Sequence, residues 1–135
     1  MHRFNSKKQL LIEQFNSYEL LNTTVNGYLT LGENIADLGG IEIAYEAFLE
    51  TEQAKQGEFI DGLTPRERFF YAFTRLHRIK YLDKTLLIIL QTDEHAPPLF
   101  RANGILSNMN AFYEIFNVTD ADRLYREPSK RTVIW

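Results

Sequence analysis

Residues 32–41 read Gly32-Glu33-Asn34-Ile35-Ala36-Asp37-Leu38-Gly39-Gly40-Ile41, and they open a helical pattern that runs on to about Gln56. Ile35, Leu38, Ile41, Tyr45 and Phe48 recur at spacings of three and four, with Leu49 beside them. That is one apolar stripe on a helix. Glu33 and Asp37 fall in its first turns, where the helix dipole favours negative charge. Gly57 stands where a C-terminal stop is needed. Gly39 and Gly40 are the anomaly, since each costs roughly 1 kcal/mol against Ala in a helix interior. The usual compensation is a second backbone packed close at that point.

Upstream, Phe4, Leu11, Phe15, Tyr18 and Leu21 share a helical face over about Asn5 to Leu21, and Asn22-Thr23-Thr24 ends it. Asn26-Gly27, between Val25 and the apolar Leu29-Thr30-Leu31, predicts a hairpin near 25–31, because both turn residues tolerate positive φ. Downstream, Thr64-Pro65-Arg66-Glu67 combines an N-cap, a proline at the first helical position and an acid three residues after the cap. The helix behind it carries Phe69, Phe70, Phe73, Leu76 and Ile79. Asp83 to Gln91 reads as another helix, capped by Asp83 around Leu86–Leu90. Pro97-Pro98 predicts irregular chain over Asp93 to Asn103. Ser107 is then the expected cap of a last helix with Met109, Phe112, Tyr113 and Phe116, and no pattern is legible from Val118 to Trp135. The fold class is mainly α, with one short β-hairpin near 25–31.

The chain has 135 residues and a mass of 15.8 kDa, so one domain, 1–135, is expected. An aromatic share of 13% supplies side chains large enough for a real core. Fifteen Lys and Arg against eighteen Asp and Glu leave a net charge of -3, with no basic field for nucleic acid. Apolar runs such as Phe69–Phe73 fall far below the ~20 residues of a membrane span, so no membrane segment is expected. Met1-His2-Arg3 leads into polar residues and gives no signal-peptide pattern. With zero cysteines, disulfides, Cys-ligated zinc, iron–sulfur clusters and thiol catalysis are excluded. No fixed-period repeat or low-complexity tract occurs.

Few residues invite chemistry. Glu33 and Asp37, four apart, share a helix face. One can ligate a metal while the other orients a ligating histidine, and two solvated acids at a helix N-terminus fit the same spacing. His95 and Arg101 flank Pro97-Pro98. Both donate directional hydrogen bonds suited to a carbonyl or oxyanion, and an ordinary polar loop is the plainer reading. His77, in an aromatic helix, reads as packed or partly exposed. His-Glu-x-x-His, Gly-x-Ser-x-Gly, the phosphate loop and the dinucleotide fingerprint are all missing.

Together, three segments resemble one family. Val25 to Gly40 is similar to the conserved block of the neprilysin and endothelin-converting-enzyme zinc metalloendopeptidases. His95-Ala96-Pro97-Pro98-Leu99-Phe100-Arg101-Ala102-Asn103-Gly104, with Leu106-Ser107-Asn108 and Phe112, resembles the family's C-terminal block. Val133-Ile134-Trp135 matches its habit of ending on Trp. The resemblance implies the helical C-terminal portion of a zincin-type catalytic domain. It implies Glu33 as the third zinc ligand, Asp37 as the residue orienting a zinc-bound histidine, His95 as the oxyanion donor and Arg101 as the substrate-carbonyl donor. The family's His-Glu-x-x-His helix lies upstream of its Glu ligand, and the thirty-two residues before Glu33 do not contain it.

A catalytic zinc needs three protein ligands and an open position. The resemblance therefore implies a fragment of a peptide-hydrolysing zinc enzyme that is inactive alone and holds no zinc by itself. The rival reading is a noncatalytic standalone domain keeping the scaffold for binding or assembly. Peptide substrates and an extracytoplasmic setting are implied for the parent protein. Self-association through apolar surface is expected of this chain, and so are acids at positions 33 and 37 that face solvent.

Overall fold

The computed structural model describes residues 2–134. Met1, and the Trp135 used in the terminal resemblance, lie outside the described residues. The architecture is mainly helical with one two-stranded antiparallel sheet. In chain order come α1 (His2–Asn16), β1 (Glu19–Leu20), β2 (Thr23–Thr24), α2 (Leu31–Leu49), α3 (Glu52–Gln56), α4 (Pro65–Leu76), α5 (Asp83–Thr92), α6 (Pro98–Leu106) and α7 (Asn110–Phe116). A 3-10 turn at Pro128–Lys130 interrupts the tail.

The hairpin exists, six residues before its expected place. Glu19 pairs with Thr24 and Leu20 with Thr23. The two-residue turn is Leu21-Asn22, both left-handed at φ 52° and 55°, as a tight hairpin loop requires. Asn26-Gly27 does something else. The Asn26 Oδ1 accepts from the N–H groups of Tyr28 and Leu29, each at 3.1 Å, making a side-chain turn that leads into α2. Gly27 is needed there for closeness rather than for φ, since a Cβ would press on the Ile12 carbonyl oxygen of α1.

The predicted 32–56 helix is two helices. The Thr51 hydroxyl donates to the Phe48 carbonyl at 2.7 Å, and it accepts from the Ala54 N–H at 3.2 Å. One side chain thus ends α2 and caps α3. Gly57 stops α3 in the left-handed conformation at φ 70°. The start of α4 is as read. The Glu67 N–H donates to the Thr64 hydroxyl at 3.2 Å, and the Glu67 carboxylate accepts from the Thr64 N–H at 2.7 Å.

Three other expectations shift. Helix α5 is present, but Leu82 is its cap and Asp83 its first residue. Residues 98–103, expected to be irregular, belong to α6, because Pro98 at a first helical position needs no N–H partner. Ser107 closes α6 instead of opening α7, its hydroxyl donating back to the Gly104 carbonyl at 2.9 Å.

Helices α1, α2 and α6 meet around Leu11, Phe15, Leu38 and Ile105, each with no exposed surface. Tyr45, Phe69 and Phe70 extend this core between α2 and α4, and Phe112 and Phe116 join it from α7. A buried polar chain ties the ends together. Gln14 donates to the Gly104 carbonyl at 2.8 Å, Asn108 donates to the Gln14 Oε1 at 2.9 Å, and the Thr132 N–H donates to the Asn108 Oδ1 at 2.9 Å. Gly40 departs from expectation: a Cβ there would meet nothing within 4 Å, so no described backbone packs against that point.

Candidate functional site

Packing of α2 on α6 decides the site, because it sets the first turns of both helices side by side. Glu33 and Asp37 stand one turn apart on α2. Arg101 projects from the first turns of α6, not from a loop, and His95 sits in the short connection Asp93–Pro97 between α5 and α6.

That connection is held locally. The Asp93 Oδ1 accepts from the His95 N–H at 2.8 Å and faces the His95 Nδ1 at 3.0 Å. Ala96 and Pro97 are buried behind it. The other ring nitrogen, Nε2, lies 3.0 Å from the Glu33 Oε2. His95 therefore lies between two carboxylates, one per ring nitrogen. A protonated ring donates to both, while a neutral ring donates to one only.

Asp37 and Arg101 form a two-pronged ion pair, with Nε to Oδ2 at 2.7 Å and Nη2 to Oδ1 at 2.8 Å. Fork-to-carboxylate pairing of this kind is both strong and directional. Asp37 retains 15% side-chain exposure, which corrects the expectation of a solvent-facing acid; Arg101 supplies the partner that removes it from water. The Nε and Nη2 edge of Arg101 is thus committed to Asp37.

The charges respond to one another. The bond to Asp37 holds the Arg101 guanidinium above its usual range. The His95 backbone N–H pulls the Asp93 carboxyl below the usual carboxylate range. His77 closes α4 half-buried, its ring 5.0 Å from that of Phe73. Burial pushes its pKa down; the Arg101 charge adds to that and Asp37 opposes it.

The structure thus brings the four together as two neighbouring pairs, Glu33 with His95 at 3.0 Å and Asp37 with Arg101 at 2.7 and 2.8 Å. Asp93 and His77 join them, and neither was singled out for this site. For Asp93 the signal was present, an Asp two residues before a His, a spacing that lets a carboxylate reach both the backbone and the ring. Nothing in the sequence placed His77 near α6.

Among the described residues no group of three or more His, Cys, Asp or Glu converges to hold a metal. Glu33 offers one carboxylate, and His95 occupies it.

Comparisons with known proteins agree on one family. The family model for peptidase family M13 matches residues 1–132. Neprilysin-3 of Drosophila melanogaster is 34% identical over 139 residues, covering 100% of this chain and 17% of the relative. The neutral endopeptidase of Lactococcus lactis is 35% identical over 98% of this chain and 20% of its own length. Among solved structures, the Mycobacterium tuberculosis zinc metalloprotease ZMP1 in complex with inhibitor superposes with a TM-score of 0.90 at 35% identity, covering 99% of this chain and 22% of that one. The chain spans about a fifth of the length of the relatives it matches.

Proposed function

The chain belongs to peptidase family M13, and from that premise we propose that it supplies one wall of a neprilysin-like zinc metalloendopeptidase site. Glu33 is the one metal ligand it contributes. Asp37 orients a metal-binding histidine that lies outside these 135 residues. His95 donates to the oxyanion of the tetrahedral intermediate, and Arg101 donates to a substrate backbone carbonyl. Bound zinc in such an enzyme supplies an activated water and Lewis acidity. This chain's own residues orient, bind and donate.

The observation that carries the reading is the meeting of Glu33 with His95 at 3.0 Å beside the Asp37–Arg101 fork. Both donors, His95 and Arg101, make directional hydrogen bonds, the kind of group that transition-state stabilisation uses. Asp93 supports His95 from behind by fixing its ring orientation. Alone, the chain presents one ligand where three are needed, so it neither retains stoichiometric zinc nor turns over peptide. The same family reading puts the parent protein outside the cytoplasm, acting on peptides.

A chimera tests this directly. The matching fifth of the Lactococcus lactis neutral endopeptidase is replaced by this chain and assayed for zinc content and peptide hydrolysis. The chimera is expected to cleave peptide, Glu33→Ala to lose zinc, His95→Phe to lower kcat, and Arg101→Met to raise KM. Retention of both zinc and turnover by Glu33→Ala would overturn the assignment. Stoichiometric zinc or Glu33-dependent turnover in the 135-residue chain alone would overturn the partial-site reading. A chimera inactive despite correct folding and full zinc would favour the noncatalytic scaffold.

A further inference from the structure

A cavity of about 740 Å³ lies between the end of α1, one face of α6 and the tail segment 123–126. Its size falls within the roughly 300–1,000 Å³ of small-molecule sites. Leu99 and Asn103, four apart on α6, supply one wall. Arg101 lies two residues from each and so belongs to another face of that helix. The cavity is therefore separate from the Glu33–His95 and Asp37–Arg101 pairs.

Its lining is divided by chemistry. Leu99, Leu124 and Tyr125 are joined by Phe100, on whose ring Tyr18 stacks at 4.5 Å between centroids. Ser17 and Asn103 add neutral polar groups, Arg123 and Arg126 add two cations, and none of the residues lining the cavity is acidic. Arg126 is the telling member. Its guanidinium donates from Nε to the Lys130 carbonyl at 2.8 Å and from Nη2 to the Leu10 carbonyl at 3.4 Å. Carbonyl oxygens orient a guanidinium but bring no charge to neutralise it. Burial pushes the Arg126 pKa down, with Glu13 the smallest of the opposing influences, whereas the Asp37 carboxylate holds that of Arg101 up. A partly buried cation whose bonds go to neutral oxygens is costly until an anion meets it.

We propose that this cavity binds a small molecule carrying one carboxylate on an apolar body. Arg126 and Arg123 hold the carboxylate, Asn103 donates to it, and the body lies against Leu99 and Leu124. Guanidinium groups suit that role because their fork matches a carboxylate. The site stands apart from the peptidase reading, because it requires neither Glu33, His95 nor Arg101.

Calorimetric titration of the 135-residue chain with phenylacetate, against the neutral phenylacetamide of nearly the same shape, tests it. The acid is expected to saturate one site, and the amide to bind at least about tenfold more weakly. Arg126→Gln should abolish that preference, but Arg126 also ties the tail to α1. Asn103→Asp is the cleaner variant, since it keeps the size of the side chain and sets a like charge in the wall. It is expected to weaken the acid at least about tenfold, with the amide and the circular dichroism unchanged. Absence of saturable acid binding by the folded chain overturns the proposal. So does equal binding of acid and amide, or indifference to Asn103→Asp. The same titration on the Lactococcus lactis chimera separates the sources of the carboxylate. Phenylacetate is expected to bind there as well. Binding by the isolated chain but not by the folded chimera would mean that the rest of the enzyme fills the cavity, which overturns a free ligand.

Discussion

Arg101 is held by one edge of its guanidinium. Its Nε and Nη2 are committed to Asp37, which fixes the guanidinium plane. Hydrogen bonds to charged groups contribute about 1.5–3 kcal/mol, and this pair is only partly screened by water, so Arg101→Met is expected to cost about 1–3 kcal/mol in urea denaturation. Arg101→Lys should recover only part of that, because an ammonium lacks the fork. A double cycle with Asp37→Asn, giving additive effects, would show that the pair is not coupled. His77 makes a second prediction. Its folded-state pKa lies below the ordinary 6.5 because burial disfavours the cation. The unfolded chain therefore takes up the proton first on acidification. The stability His77 contributes is full above about 6.5 and is lost as pH falls through the lower folded value. His77→Phe should flatten the pH dependence of the denaturation midpoint just below 6.5. A slope equal to that of the parent would remove His77 as its source.

Among the elements, the start of α4 was legible in full, because its cap is written in four consecutive residues that satisfy one another. Thr64→Ala is expected to cost about 1 kcal/mol, measured by the same denaturation, with Thr64→Ser nearly neutral. Elsewhere local signals were overridden by contacts the sequence does not spell out. Asn26-Gly27 looks like a hairpin turn, yet Gly27 is required by the approach of α1, so Gly27→Ala is expected to destabilise by about 1–3 kcal/mol although its φ is ordinary. The true hairpin turn, Leu21-Asn22, hides behind a Leu that rarely adopts positive φ. Pro97-Pro98 has the look of a breaker, whereas a proline at a first helical position starts a helix. The site was legible differently. Glu33, Asp37, His95 and Arg101 came from resemblance, since spacing left Glu33 and Asp37 indistinguishable from solvated acids. What spacing could not supply was the α2–α6 packing that joins positions 64 residues apart.

At the scale of the molecule, the question is whether 135 residues behave as one unit. Two aspects of the packing bear on it. The apolar core is continuous from α1 through α2 and α6 to α4 and α7. The polar chain Gln14–Asn108–Thr132 also joins the first helix to the last residues of the described tail. Buried polar groups cost most when one partner is removed, about 1–3 kcal/mol for each group left unsatisfied. Asn108→Ala would strand both the Gln14 Oε1 and the Thr132 N–H, at positions where Gln14, Asn108 and Thr132 are almost wholly buried. If the chain is one cooperative unit, that substitution lowers the urea midpoint of the helical signal and of tyrosine fluorescence by the same amount, because neither end can loosen without the other. If the tail instead forms a separate unit, the tyrosine signal, to which Tyr113 and Tyr125 contribute beside the tail residue Arg131, moves first while the helical midpoint stays. Coincident transitions in the parent chain and a joint shift in Asn108→Ala are the expected outcome; a split of the two probes would divide the chain and end the single-domain reading.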